Sequence, residues 1–256
     1  MLSKHSFSPA LIDIADQTLF FKSFFRNSFK KGFEWNEFLR QAYVTGYRSI
    51  GIIALTGFIL GFVLTLQSLP TMKQFGAVSF IPGMVSISVI REIGPVIVGL
   101  MCAGKISSSM GAELGSMNVT EQIDAMVVSG ANPMQYLVVT RILACIVMVP
   151  LLTVFADVIA LLGGFVSANL EGSISARLYF YKSTSVLEFS DIIPSLIKTI
   201  LFGFAIGFVG CYKGFHSNRG TESVGLAANS AVVTASVWII VIDAIVVQIT
   251  NVFVYK

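Results

Sequence analysis

Five apolar segments, over residues 49–67, 84–104, 142–164, 195–212 and 231–254, each approach the roughly 20 residues that a helix needs to cross a hydrocarbon core about 30 Å thick. Inside lipid no water satisfies the backbone N–H and C=O groups, so segments of this length and composition fold as helices that bond internally. That feature sets the fold class: an all-α integral membrane protein with about five transmembrane helices. The charge supply agrees, since only 12% of the 256 residues are charged and the mean hydropathy is +0.81. About a quarter of an ordinary soluble domain is charged, so this chain has too few charges to cover a water-facing surface.

Residues 1–48 hold no spanning segment, and 49–256 form the membrane domain. The Phe-rich run at 19–33 is broken by Lys22, Arg26, Lys30 and Lys31, so it reads neither as a span nor as a signal peptide. On a helix, Phe21, Phe25, Phe29 and Phe33 make one stripe beside a stripe of Lys22, Arg26 and Lys30. This predicts a helix lying in the membrane interface, rings down and cations toward anionic headgroups; an amphipathic helix packed on other protein is the alternative. With the N-terminus inside, the inner segments carry eleven Lys and Arg against four in the outer ones, which favours a cytoplasmic N-terminus and, with five crossings, an external C-terminus. The polar outer loop at 167–191 has room for a short helix that meets a partner.

Several function classes drop out. Basic residues gather in the first 48 positions, so there is no broad basic surface for nucleic acid. Cys102, Cys145 and Cys211 are odd in number and lie in apolar runs, which suits packing instead of disulfides. His5 and His216 lack spaced companions for a metal site, and no nucleophile with a base and an orienting group is visible. Residues 99–106 have the spacing of a phosphate-binding loop, but Ile106 stands where Ser or Thr must hold magnesium. The chain is therefore expected to bind no nucleotide, cofactor or metal itself and to be non-catalytic.

Ionisable groups at membrane depth cost roughly 2.5–3.5 kcal/mol each on insertion scales, which makes them functional candidates. Arg91 and Glu92 precede Gly94-Pro95, where proline removes a backbone donor and frees the carbonyl of Arg91. They point about 100° apart on a helix, so one or both face a polar cavity or a charge on another helix. Asp157 and Asp243 are single acids in apolar runs, each able to bond a hydroxyl or cation on a neighbouring helix. Lys198 sits near an outer helix end, where it is expected to snorkel as an anchor. The pairs Gly57/Gly61, Gly111/Gly115 and Gly203/Gly207 let helix backbones approach, within the chain or between copies.

The cytoplasmic stretch at about 112–128 is the most informative. Thr120 can cap a short helix whose first turn holds Glu121 and Asp124, favourable at the positive end of its dipole. Gln122 lies between them, and Ile123 and Met126, extended by Val127, form a small apolar face. Such an acidic and apolar helix, held by two membrane helices, is shaped to enter a groove on a soluble partner.

Taken together, Arg91-Glu92-Ile93-Gly94-Pro95-Val96, Ala112-Glu113-Leu114-Gly115, Val119-Thr120-Glu121-Gln122-Ile123-Asp124-Ala125, Asn132-Pro133, Tyr136-Leu137-Val138-Val139 with Arg141, and Gly210-Cys211-Tyr212 resemble the MlaE (YrbE) permease family of bacterial and plastid lipid transporters. The order matches from about residue 49 to 243. The resemblance implies a homodimeric permease subunit of an ABC transporter in the bacterial inner membrane. It implies two copies of a cytoplasmic ABC ATPase, which uses the ATP and magnesium, and an MCE-domain protein on the outer side. It further implies a phospholipid pocket near Arg91, Glu92 and Pro95, and a coupling helix at Glu121, Gln122, Ile123, Asp124 and Met126. At 217–225 the chain departs from the family, with Thr221 and Ser223 where smaller residues are usual. From residues alone, the rival reading is an ion-coupled secondary transporter using Glu92, Asp157 or Asp243, although no inverted repeat with matching broken helices is visible.

Overall fold

The computed structural model describes residues 9–30, 32–170, 174–218 and 220–253, and within these it is helical without a β-strand. His5, Lys31, Arg219 and Val254 lie outside the described residues. Helix α1 is Pro9–Ser28 and α2 is Trp35–Gln74. A continuous rod, α3, runs Val78–Val119, followed by the short α4, Gln122–Val128, and by α5, Met134–Leu170. Helix α6 is Ala176–Ser185, α7 is Phe189–Phe215 and α8 is Thr221–Phe253. Five of these, α2, α3, α5, α7 and α8, are long and apolar enough to cross a membrane. Four of them contain their expected spans and run past them at both ends, while α8 starts ten residues before the fifth and follows it as far as Phe253. At 1.5 Å per residue the 40 residues of α2 reach about 60 Å, so their polar ends project into the aqueous zones.

Small residues decide which helices touch. A Cβ on Gly61 would stand 1.7 Å from the carbonyl oxygen of Ala160, and one on Gly163 would stand 2.2 Å from that of Phe58, so α2 and α5 meet backbone to backbone. Gly203 and Gly207 bring α7 equally close to Cys145 and Ile142 of α5, and Gly111 brings α3 against Ala227 and Ala228 of α8. All three small-residue pairs therefore serve contacts within the chain. In lipid, where apolar burial drives no association, this close packing is what holds the bundle. Helices α2, α5, α7 and α8 stand in that order and α3 crosses them, packing on α5, α7 and α8. The three cysteines are buried and free in this core. Outward-facing Leu55, Ile59, Leu151, Val154, Val237 and Ile240 are exposed, and lipid is the medium that suits them.

The first helix differs from the expected stripe. It ends at Ser28, so Phe29 and Phe33 lie beyond it, and its protein-facing edge is Phe20, Phe24 and Asn27. Phe20 packs edge-on against Phe208 and Tyr212 of α7 at 5.5 Å. Phe21 and Phe25 are half exposed beside the exposed Lys22 and Arg26. Both sequence readings thus share one helix: one edge docks on α7, the other is free for the interface.

The loop between α5 and α7 holds the expected short helix, α6, and it docks on this chain's own α3. The hydroxyl of Ser86 donates to the carbonyl of Ser183 at 2.9 Å. Tyr179 of α6 is fully buried, and burial pushes its phenol above the ordinary tyrosine range.

Candidate functional site

Two regions concentrate polar chemistry. The first begins at a break in α3. Pro95 cannot donate to the carbonyl of Arg91, and residues Val89–Ile93 widen into a π-helical turn in which the N–H of Gly94 donates to Val89, five residues back. The widened turn carries Arg91 and Glu92, each still about a third accessible, at 35% and 39%. The Arg91 guanidinium bonds the carboxylate of Asp191. Asp191 is buried and also accepts the Glu188 N–H at 3.2 Å, so one acid closes the capping box of α7 and holds Arg91.

Lys198 corrects an expectation. Its side chain is 2% accessible, and its Nζ donates to Glu92 Oε2 at 2.8 Å and to Asp243 Oδ1 at 2.9 Å. It does not snorkel, because two carboxylates on α3 and α8 meet it inside the bundle and compensate its burial there. Asp243 thereby has the cation of a neighbouring helix. Asp157 does not: it is buried, and its Oδ1 has no hydrogen-bond partner among the described residues. That oxygen would lie 2.3 Å from a Cβ at Gly94, so only glycine fits opposite it. Sequence reasoning missed Asp191, although Glu188 and Asp191 ahead of an apolar run carry the spacing of a capping box.

The second region lies where α2, α3 and α5 end together. A second widened turn, Met134–Val139, leads into Arg141, which is buried and donates to Glu113 Oε1 at 2.7 Å and to the carbonyl of Leu137 at 2.9 Å. Beside it, Glu37 accepts from Gln41 at 2.7 Å, from Arg40 at 3.3 Å and from the Tyr136 hydroxyl at 3.4 Å. Asn132 donates to Asn27 at 2.8 Å, which ties the end of α1 to the start of α5.

Helix α4 hangs from this frame. Thr120 does not cap it; its hydroxyl donates back to Ser116 at 2.8 Å and ends α3. The chain instead turns at Glu121, whose φ of 56° puts a non-glycine residue in the left-handed region. Ile123 is buried and Met126 half-buried against the chain's own core, so the expected apolar face points inward. Exposed to a partner are Glu121, Gln122, Asp124, Val127 and Val128.

Residues 99–106, with the spacing of a phosphate loop, are helical throughout, and Lys105 donates to the carbonyl of Arg48. Among the described residues no three of His, Cys, Asp and Glu stand close enough to hold a metal ion.

Five helices long and apolar enough to cross a membrane, with a charged cluster shared by three of them, are the architecture of a multi-pass membrane protein. Residues 38–249 match the family described as Permease MlaE, and the chain belongs to that family of ABC transporter permeases. It is 36% identical over 211 residues to a probable ABC transporter permease of Rickettsia typhi, covering 82% of each chain. Over 197 residues it is 33% identical to a probable ABC transporter permease of Synechocystis, covering 77% of this chain and 75% of the relative. It is also 31% identical over 209 residues to the Arabidopsis thaliana chloroplast protein TRIGALACTOSYLDIACYLGLYCEROL 1, covering 82% of this chain and 60% of the relative. Membership in this family implies an ATPase partner and tells against the ion-coupled carrier.

Proposed function

We propose that the chain moves phospholipids between the bacterial inner membrane and the outer envelope, powered by a separate ABC ATPase. The observation that carries this reading is the cluster of Arg91, Glu92, Asp191, Lys198 and Asp243 on three helices at membrane depth, with Arg91 and Glu92 still accessible. A guanidinium offers a planar fork of donors that matches phosphate, and the acids around it keep that fork oriented when no phosphate is present. Pro95, buried behind the widened turn, fixes where the fork points.

The chain acts as a homodimer, its N-terminus cytoplasmic, with two ATPase subunits on α4 and an MCE-domain protein on the outer side. The exposed acids Glu121 and Asp124 meet the ATPase. ATP binding draws the two α4 helices together, and the helices around the cluster shift between states of different lipid affinity. ATP and magnesium stay with the ATPase.

The test is ATPase activity of the reconstituted complex with and without phospholipid. Glu121→Lys combined with Asp124→Lys is expected to abolish phospholipid stimulation while the permease still assembles in the membrane. Undiminished stimulation would remove α4 as the coupling element.

A further inference from the structure

Away from the charged cluster, a cavity of about 250 Å³ opens where α1 and α8 flank α7. Its floor is a ladder of rings on one face of α7: Phe204 stacks on Phe208 at 5.6 Å, and Phe208 on Tyr212 at 6.4 Å with their planes 3° apart. Phe21 of α1 closes one wall, edge-on to Phe204 and Phe208 at 6.0 and 5.9 Å. Trp238 and Ile242 of α8 close the other. The floor runs nine residues from Phe204 to Lys213, about 14 Å at the rise of a helix, close to half the thickness of a hydrocarbon core.

The two ends differ. At the inner end stands Lys213, over the Tyr212 ring at 5.6 Å and without a carboxylate partner among the described residues. Two acids of α1 stand nearby: Asp13 accepts the Tyr212 hydroxyl at 2.7 Å and the Gln17 amide at 3.2 Å, and Asp16 lies close enough for its charge to act on Tyr212. At the outer end is Ile242, the residue before Asp243, which holds Lys198. A flat apolar trough that begins at a free ammonium among the headgroups and stops beside the charged cluster has the dimensions and polarity of a lipid with one acyl chain laid along it.

We infer that this trough binds a glycerophospholipid of the cytoplasmic leaflet, its phosphate on Lys213 and one acyl chain on the Phe204, Phe208 and Tyr212 rings. The site is separate from the Arg91 and Glu92 cluster and feeds it. The inference rests on the phospholipid reading and on the cytoplasmic N-terminus.

It is tested with the ATPase-bound permease in nanodiscs of phosphatidylethanolamine and phosphatidylglycerol, doped with a phosphatidylglycerol carrying a diazirine in its acyl chain. After irradiation, adducts are mapped by peptide mass spectrometry. Adducts are expected on 204–213 and 234–242. They should fall about tenfold in Lys213→Gln at limiting probe, the effect of one charge-assisted bond to phosphate. Lys213→Arg should keep them, and Ala205→Phe, which fills the floor, should lose them. Equal labelling of wild type and Lys213→Gln would show ordinary bulk lipid and overturn the site. Adducts at 91–95 and 198 with none in the trough would overturn this inference and leave the phospholipid reading standing. No saturable labelling in either place would end both.

Discussion

Lys198 shows how one side chain joins three helices. Its ammonium is the only described cation between Glu92 and Asp243, so removing it leaves two acids inside the bundle facing each other. Deleting one partner of a fully buried pair costs about 3–5 kcal/mol; Glu92 and Asp243 keep 39% and 21% of their side chains accessible, so Lys198→Met is expected to cost less than that and still to lower the melting temperature of the detergent-solubilised protein. The triple change Lys198→Met, Glu92→Gln, Asp243→Asn should recover most of that loss, because no charge remains unpaired. Were the ammonium a surface anchor, Lys198→Met would be nearly silent. The contact at Gly61 predicts in the same way: Gly61→Leu forces a side chain into the Ala160 backbone and should cost about 1–3 kcal/mol or more, read by the same melt. Sequence alone singles out Lys198 as ionisable in an apolar run but cannot say which way it points, since that depends on acids 106 residues before it and 45 after it.

At the scale of elements, the five spans were legible because hydropathy reports length and polarity directly. Their ends were not, because a helix leaving lipid continues as long as polar residues solvate it, as at Trp35–Ile50 of α2. The interfacial helix was legible as amphipathic, with Phe21 and Phe25 outward as expected, but its docking edge, Phe20 and Phe24, was not, because the ring ladder on α7 that selects it lies far away in sequence. Replacing Phe20 and Phe24 together by Ala should therefore free α1, each ring lost from a packed site costing about 3 kcal/mol. Trypsin would then cleave after Lys22 and Arg26 much faster than in the wild type, and unchanged cleavage would mean that α1 is held by the membrane alone. The turn at Glu121 was hidden as well. A left-handed non-glycine residue leaves no signal in one sequence, and Thr120 looked like the natural cap. Glu121→Gly should relieve that backbone and leave the melting temperature unchanged or slightly higher, while weakening coupling through the lost charge.

For the whole molecule, the fold places charge at both ends of a path: the Glu37, Glu113 and Arg141 network beside α4 at one end, and the Arg91 to Asp243 cluster toward the other. Helix α3 connects them as one rod interrupted by two widened turns, Val89–Ile93 and Ala103–Ser107, where a rigid helix can change its twist. A signal arriving at α4 has a continuous covalent route to the cluster. In the proposed function this rod is what makes ATP hydrolysis move phospholipid. The most direct measurement reconstitutes the chain with its ATPase and MCE-domain partners in liposomes and follows fluorescent phospholipid passing to acceptor vesicles. Transfer that needs ATP, disappears with Glu121→Lys/Asp124→Lys and falls sharply with Arg91→Ala is the predicted result. Transfer that proceeds equally without ATP, or ATP hydrolysis that moves no phospholipid, would overturn the proposed function.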